Sequence, residues 1–338
     1  MKNNTKNALE PSTSLGEHAI IELMRKHFTP MPTMTVPFGD DVSAVPIGSD
    51  EVAVLKTDML VAKTDVPKGM TLWQAARKAV VMNVSDFAAK GVVPQTVLVS
   101  LGLPKNLKSS DFEDLADGLN AGATEYGAYV VGGDTGEACD LVIAASLFGV
   151  SSRNGMMLRR GARVGDVLAV TGLFGNSSSG LKLFQGGYSA PPEVGEALVE
   201  AVCMPEARLA EGLALRSSGA VTSSIDSSDG LAWCLHELAV QSGVGFLVSS
   251  LPVASEAVKF SKQNGLELSE LALYGGEEYE LVVTVNPRLW FEAEKAVSAA
   301  GGRLLPIGKA TLDQSVLYSV DGKKCVIEAR GYEHFKDS

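Results

Sequence analysis

The chain has 338 residues, 46% of them hydrophobic and 20% charged, with a formal net charge of −11. That length favours two domains over one, and the acidic balance argues against nucleic acid or an anionic membrane surface as a partner. No apolar run approaches the ~18 residues of a membrane-spanning helix, and the polar N-terminus carries no signal-like apolar stretch. The cysteines, Cys139, Cys203, Cys234 and Cys325, are too scattered for a metal knuckle or a redox pair and fit a reducing cytoplasm.

Residues 1–13 read as a disordered tail. Glu17 follows Ser14 at capping-box spacing, and Ile20, Ile21, Leu23, Met24 and Phe28 continue with helical periodicity until Pro30 and Pro32. Strands are expected over 42–46 and 52–58, a turn over 67–69, and a helix over 72–83 with Trp73, Ala76, Ala79 and Val80 on one face. A strand over 94–103, a helix over 110–126, a short buried strand at 129–131 and a strand over 141–150 follow. Turn-rich sequence from Arg159 to Asp166 leads into a strand over 167–171. The domain boundary is placed so that an N-terminal domain spans 14–152 and a C-terminal domain 153–338. The second half reads as helices from Ser178, from Pro205, after Asp229, over 254–263 and over 289–300, with strands over 221–225, 246–251 and 279–285. This irregular alternation argues for a mixed α/β (α+β) fold in two domains.

The first half is organised around residues 83–91, N-V-S-D-F-A-A-K-G, entered from the apolar run Ala79-Val80-Val81-Met82. Asp86 sits there among small side chains, where a ligand can approach a carboxylate closely. Acidic stretches of the same style are Gly39-Asp40-Asp41, Lys56-Thr57-Asp58, Gly132-Gly133-Asp134 and Asp226-Ser227-Ser228-Asp229-Gly230. Magnesium takes hard oxygen ligands, and nucleotide enzymes share it between a few carboxylates and the substrate's phosphates. Such carboxylates are expected on loops, at strand ends and at helix starts, facing a cleft. Taken singly, Asp226 and Asp229 are as readily helix caps, Asp40-Asp41 an Asx turn and Gly132-Gly133-Asp134 a tight turn. Their number in one chain is what favours a shared site. No Walker P-loop, G-x-S-x-G elbow or H-E-x-x-H pair occurs, so an ATP site must be of another build. The dispersed histidines argue against zinc.

Read together, G-D-D at 39–41, T-D at 57–58, N-V-S-D at 83–86, G-G-D at 132–134, R-x-G-A-x-x-G-D at 159–166, I-D-x-S-D-G-L at 225–231, G-G-E-x-Y-E-L at 275–281 and G-Y-x-H-F at 331–335 form an ordered set. That set resembles the thiamine-monophosphate kinase family, whose superfamily includes aminoimidazole-ribonucleotide synthetase and selenophosphate synthetase. The resemblance implies ATP-dependent phosphorylation of thiamine monophosphate with several magnesium ions. It implies metal positions at Asp41, the Lys56-Thr57 region, Asp58, Asp86, Asp134, Asp226 and Asp229. ATP would meet Tyr126, Gly133, Asp134, Arg159 and Ser228, and the thiamine moiety Asp65, Glu277 and Tyr332. It further implies a two-domain α/β protein whose N-terminal domains pair through their sheets as a homodimer. Three departures bear on the substrate more than on the metal positions: Asp65 stands where many members carry His, Glu278 where Asp is usual, and Asn176 where Asp is common.

The chemistry so implied needs no catalytic base, and none is assigned. The substrate's phosphate is its own nucleophile, and the task is to bring two polyanions together for in-line attack, with metal ions offsetting their repulsion. Two other readings remain open: another ATP-using member of the superfamily with a different phosphate or amide substrate, and a non-catalytic nucleotide-binding regulator.

Overall fold

β-Branched and small apolar segments build two separate sheets, one from each half of the chain, in a computed structural model that describes residues 16–320 and 322–335. The expected tail over 1–13 lies outside the described residues. The first sheet is formed by β1 (Ser43–Pro46), β2 (Glu51–Val61), β3 (Pro94–Leu103), β4 (Tyr129–Glu137) and β5 (Val142–Ser152), in the order β1-β2-β5-β3-β4. Its helices are α1 (Glu17–Arg25), the short α2 (Ala62–Asp65), α3 (Leu72–Lys90) and α4 (Ser109–Glu125). Only β3 and β4 run parallel, and α4 supplies the crossover that a parallel pair requires. Along β5 every second residue is buried, so one face of the sheet packs inward, where α3 lies against β2 and β5.

The second half contributes β6 (Val167–Val170), α5 (Asn176–Gln185), α6 (Pro192–Cys203), α7 (Leu209–Ser218), β7 (Val221–Asp226), α8 (Leu231–Ser242), β8 (Gly245–Val248), α9 (Ser255–Asn264), α10 (Leu268–Tyr274), β9 (Leu281–Val285), α11 (Trp290–Ala299), β10 (Leu305–Thr311), β11 (Val316–Val320) and β12 (Lys323–Val326). Its seven strands lie in the order β12-β11-β8-β10-β6-β9-β7. No helix among the described residues is long and apolar enough to cross a membrane.

The mixed α/β character is as expected, and two local expectations are corrected. The helix expected over 72–83 continues to Lys90. Thr71 and Gln74 close a capping box at its start, and Gly91, at φ +64°, ends it in the left-handed region. The N-V-S-D stretch is therefore helical, because packing on both sides outweighs the weak helix preference of Asn, Ser and Asp. The segment 129–131 is no short buried strand. It opens β4, a nine-residue strand at the sheet edge that is exposed along its whole length. Helix α1 forms, but none of its residues is buried. Local pattern does not show α2, α6, α10 or β10–β12; β12, for instance, carries Lys323 and Lys324 and is exposed throughout, so it shows no alternation.

Helix α3 sits between the halves, touching β2 and β5 on one side and α4, α7 and β7 on the others. Such close helix contacts need missing side chains. A Cβ on Gly118 of α4 would collide with the Trp73 carbonyl oxygen, and one on Gly212 of α7 with that of Ala88. The apolar cluster around α3 draws residues from both sheets, including Leu147 of β5 and Val283 of β9.

Candidate active site

Buried charge is concentrated along α3. Lys78, Asp86 and Lys90 are all buried there, as is Arg77, in a helix whose other residues are mostly small or apolar. At 100° per residue these three positions fall within one sector of the helix. Each charge meets a partner from another segment. Lys56 of β2 places Nζ 3.0 Å from both Asp86 Oδ1 and Asp58 Oδ1. Lys90 Nζ lies 2.6 Å from Asp40 Oδ1 and 2.7 Å from Asp41 Oδ2, and donates to the Ser224 carbonyl at 2.9 Å. Arg159 donates from Nε to Asp41 Oδ1 at 2.6 Å and from its backbone N–H to Asp40. Ser85 donates to Asp226 Oδ2 at 2.8 Å, tying α3 to the end of β7.

These contacts bring Asp41, Asp86 and Asp226 together. One carboxylate oxygen from each lies within 4.8 Å of the others, and all three residues are buried. The electrostatics follow from that crowding. Burial pushes Asp86 well above the usual carboxylate range, and Asp226 and Asp58 add to the shift while Lys56 opposes it. Asp226 rises to about 6 through burial and the Asp41 charge, and Asp229 to about 7 through burial and Asp226. Burial also acts on Asp41, but Arg159 and Lys90 outweigh it and hold this carboxyl below its ordinary value. Lys56 is held protonated: burial works against its charge and Asp58 and Asp86 overcome that. A set of hard, anionic oxygens with surplus negative charge fits a divalent cation such as magnesium.

The other expected residues fall into three groups. Asp58 and Asp229 flank the trio, Asp58 through its shared partner Lys56 and Asp229 three residues beyond Asp226. The Lys56 ammonium is spent on Asp58 and Asp86, so an oxygen ligand from this residue would have to be its backbone carbonyl. Thr57 spends its hydroxyl on β5, donating to the Ala145 carbonyl and accepting from Ser146. Gly133 and Asp134 are not brought to the trio within one chain. Register runs from Asp58 through Ala145 and Val99 to Gly133, which puts them about three strand spacings, or ~14 Å, across the sheet. Tyr126 is likewise elsewhere: its hydroxyl accepts from the Ala207 N–H, and burial raises it to about 12.

On the remaining side, the Ser228 carbonyl accepts from the Glu277 N–H at 2.7 Å, and the Asp229 carbonyl from the Tyr332 N–H at 3.0 Å. Ser228, Glu277 and Tyr332 thus form one neighbourhood next to the carboxylates. Burial raises the half-exposed Tyr332 to about 12, with Asp65 and Glu277 contributing. Asp65 is close by, yet its carboxylate accepts from the Val61 N–H at 2.7 Å and so caps α2. Glu278 turns away: it accepts from the Gly175 N–H at 2.6 Å at the start of α5, and burial raises it to about 8. The departure from Asp at 278 therefore serves α5, and Asn176 is the first residue of that same helix. Sequence reasoning missed Lys78, Ser85 and Lys90. No local signal marks them: Lys78 and Lys90 read as solvated lysines and Ser85 as one more small residue of the N-V-S-D stretch, until the burial of α3 is known.

Comparison with known proteins agrees with this geometry. The family model described as AIR synthase related protein, N-terminal domain, matches residues 39–151. The thiamine-monophosphate kinase of Nitrosopumilus maritimus is 35% identical over 283 residues, 84% of this chain and 89% of that protein. That of Pyrococcus horikoshii is 37% identical over 275 residues, 81% and 83% of the two chains. Among solved structures, AaThiL complexed with AMPPCP and TMP superposes with a TM-score of 0.83 at 28% identity, covering 96% of this chain and 99% of its own.

Proposed function

The chain belongs to the thiamine-monophosphate kinase family, and from that premise we propose how it performs ATP-dependent phosphorylation of thiamine monophosphate to thiamine diphosphate. One observation carries the reading: three buried carboxylates from three separate segments, Asp41, Asp86 and Asp226, converge within reach of a single cation and beside Arg159. These three would hold magnesium, with Asp58 and Asp229 at the edges for further ions. Bound there, magnesium supplies charge neutralisation for the phosphates and fixes their orientation.

The residues themselves have simpler tasks. Arg159 and the loop at Ser228 face the nucleotide's phosphates. An oxygen of the thiamine monophosphate phosphate attacks the γ-phosphorus in line, and the bond to the β-phosphate oxygen breaks to release ADP. That oxygen is already anionic near neutral pH, so no side chain has to accept a proton. Glu277 and Tyr332, with Asp65 beyond them, line the end where the thiamine moiety lies. The half-exposed Tyr332 ring is suited to a cationic thiazolium.

With the domains divided at 152/153, the site occupies the seam between them. The enzyme is a homodimer in this reading, paired along β4, where Tyr129 and Val131 are exposed on an open edge together with Leu98 of β3. A second copy at that edge is where Gly133 and Asp134 would meet nucleotide. The free thiols Cys139 and Cys325, both exposed, suit the cytoplasm. The test is direct. Purified protein with ATP and magnesium is expected to convert thiamine monophosphate, but not thiamine, to the diphosphate, read by chromatography. Absence of product with Mg-ATP still bound would move the assignment to another phosphate acceptor.

A further inference from the structure

Lys78 has no exposed surface, and a buried ammonium must be paired. Its Nζ lies 2.6 Å from Glu277 Oε1, with the Asp65 carbonyl oxygen at 3.4 Å. The two charges are 199 residues apart in sequence and join α3 to the loop before β9. That loop is strained. Glu277 and Tyr279 have φ of +64° and +53°, a region that side chains other than glycine rarely occupy. The strain is held in place at Glu277 from both ends: its N–H donates to the Ser228 carbonyl at 2.7 Å, and its carbonyl accepts from Ser177 Oγ at 2.8 Å. The carboxylate is therefore pinned through one oxygen. Its other oxygen, Oε2, is buried without a hydrogen-bond partner. A buried anionic acceptor left without a donor is costly until something supplies one.

We propose that Lys78 is a positioning residue for substrate specificity: it anchors Glu277 by Oε1 and so presents Oε2 to a hydrogen-bond donor on the substrate's base, the exocyclic amine of an aminopyrimidine. The inference rests on the kinase reading above. It also gives α3 two functional ends. Lys78 lies eight residues before Asp86, so the site for the base and the site for the reacting phosphates are about 12 Å apart along the helix axis. The Lys78 contact to the Asp65 carbonyl fixes α2 against the same loop.

The experiment compares wild type, Lys78→Met, Glu277→Gln and the double variant, using thiamine monophosphate and oxythiamine monophosphate, in which an oxo group replaces the amine. Mg-ATP affinity and melting temperature are measured alongside. K78M is expected to raise the KM for thiamine monophosphate about ten- to a hundredfold, the scale of one hydrogen bond to a charged group. Discrimination against the oxo analogue should fall equally, with the Kd for Mg-ATP unchanged. K78M/E277Q should be no worse than E277Q, because Lys78 acts only through Glu277. A merely structural lysine would lower stability without altering the choice between the two monophosphates. If K78M is too unstable to assay, E277Q and the double variant carry the test, and a further loss of thiamine monophosphate affinity on adding K78M overturns the inference. Unchanged discrimination in a folded K78M overturns it as well. A wild-type protein that leaves thiamine monophosphate unphosphorylated overturns the kinase reading and this inference together.

Discussion

Replacing Lys90 by Met tests whether the carboxylate site is held together by fixed cations. Lys90 is fully buried and spans Asp40, Asp41 and the Ser224 carbonyl at 2.6, 2.7 and 2.9 Å. Met keeps most of the stem's volume, so packing is largely preserved and the loss is electrostatic. Asp41 would retain Arg159 alone, with its carboxylate still buried. Removing one partner of a buried pair costs about 3–5 kcal/mol, a large share of the ~5–15 kcal/mol that holds a typical protein folded. At roughly 2–4 °C per kcal/mol for domains of this size, the melting temperature should fall by about 6–20 °C in chelator. Magnesium should then recover more of the loss in K90M than it adds to wild type, since the ion binds the folded state where the ammonium was removed. Thermal melts followed by circular dichroism, with EDTA and with magnesium, measure both effects. A chelated K90M that melts within about 2 °C of wild type would show that Lys90 is not holding the carboxylates in the folded state.

Asp86→Asn should reduce diphosphate formation by about a hundredfold or more while the fold persists, because a carboxylate proposed to hold magnesium loses its charge; single-turnover chromatography measures it, and full activity would refute the assignment. In metal-free protein, stability should fall as pH rises from about 4 towards 7. Asp226 and Asp229 have folded pKa values of about 6 and about 7, above their ordinary 3.8, so the folded state holds protons there that the unfolded chain has released. Asp41, held low, acts in the opposite sense below that window, and its stabilisation is lost as pH drops through its folded value. Urea titrations in EDTA across this range check the sign, and magnesium should flatten the decline. Val131→Glu on the exposed β4 edge should shift the protein to monomer in sedimentation velocity without lowering its melting temperature by more than about 1 kcal/mol equivalent.

What the sequence disclosed follows from how local each signal is. Asp41, Asp58, Asp86, Asp226 and Asp229 lie in short motifs that can be recognised without knowing the fold, and the structure does assemble Asp41, Asp86 and Asp226. The helical state of Asp86 was hidden because Asn83, Ser85 and Asp86 are poor helix formers; their helix is decided by contacts with β7 and α7 far along the chain. Tyr129-Val130-Val131 looks like a core strand by composition. Its exposure follows from its place in the sheet order, which no local pattern encodes. The resemblance implies a substrate contact at Asp65 and marks Glu278 as a departure that bears on the substrate, but both carboxylates accept from backbone N–H groups at the starts of α2 and α5. Lys78 and Lys90 would pass for solvated lysines in any pattern of residues. Only the burial of the whole of α3 makes them structural charges.

The charges along α3 also explain how an acidic protein can gather polyanions. Around the trio, Asp40, Asp41, Asp58, Asp86, Asp226 and Asp229 face the fixed cations Lys56, Lys90 and Arg159. Carboxylates therefore outnumber cations in a setting where solvent cannot screen them. The surplus has only two outlets: protons, as the raised values at Asp86, Asp226 and Asp229 show, or divalent metal. Because Lys90 and Arg159 concentrate on Asp40 and Asp41 while Asp226 is bonded only through the neutral Ser85 hydroxyl, the deficit of positive charge is greatest on the Asp86–Asp226 side. Asp226 is also the member of the trio nearest in sequence to Ser228 and Asp229, whose carbonyls hold Glu277 and Tyr332. Metal drawn to that deficit would carry its remaining charge towards the substrates, so the same crowding that destabilises the metal-free site favours the meeting of two phosphates once the ions are bound.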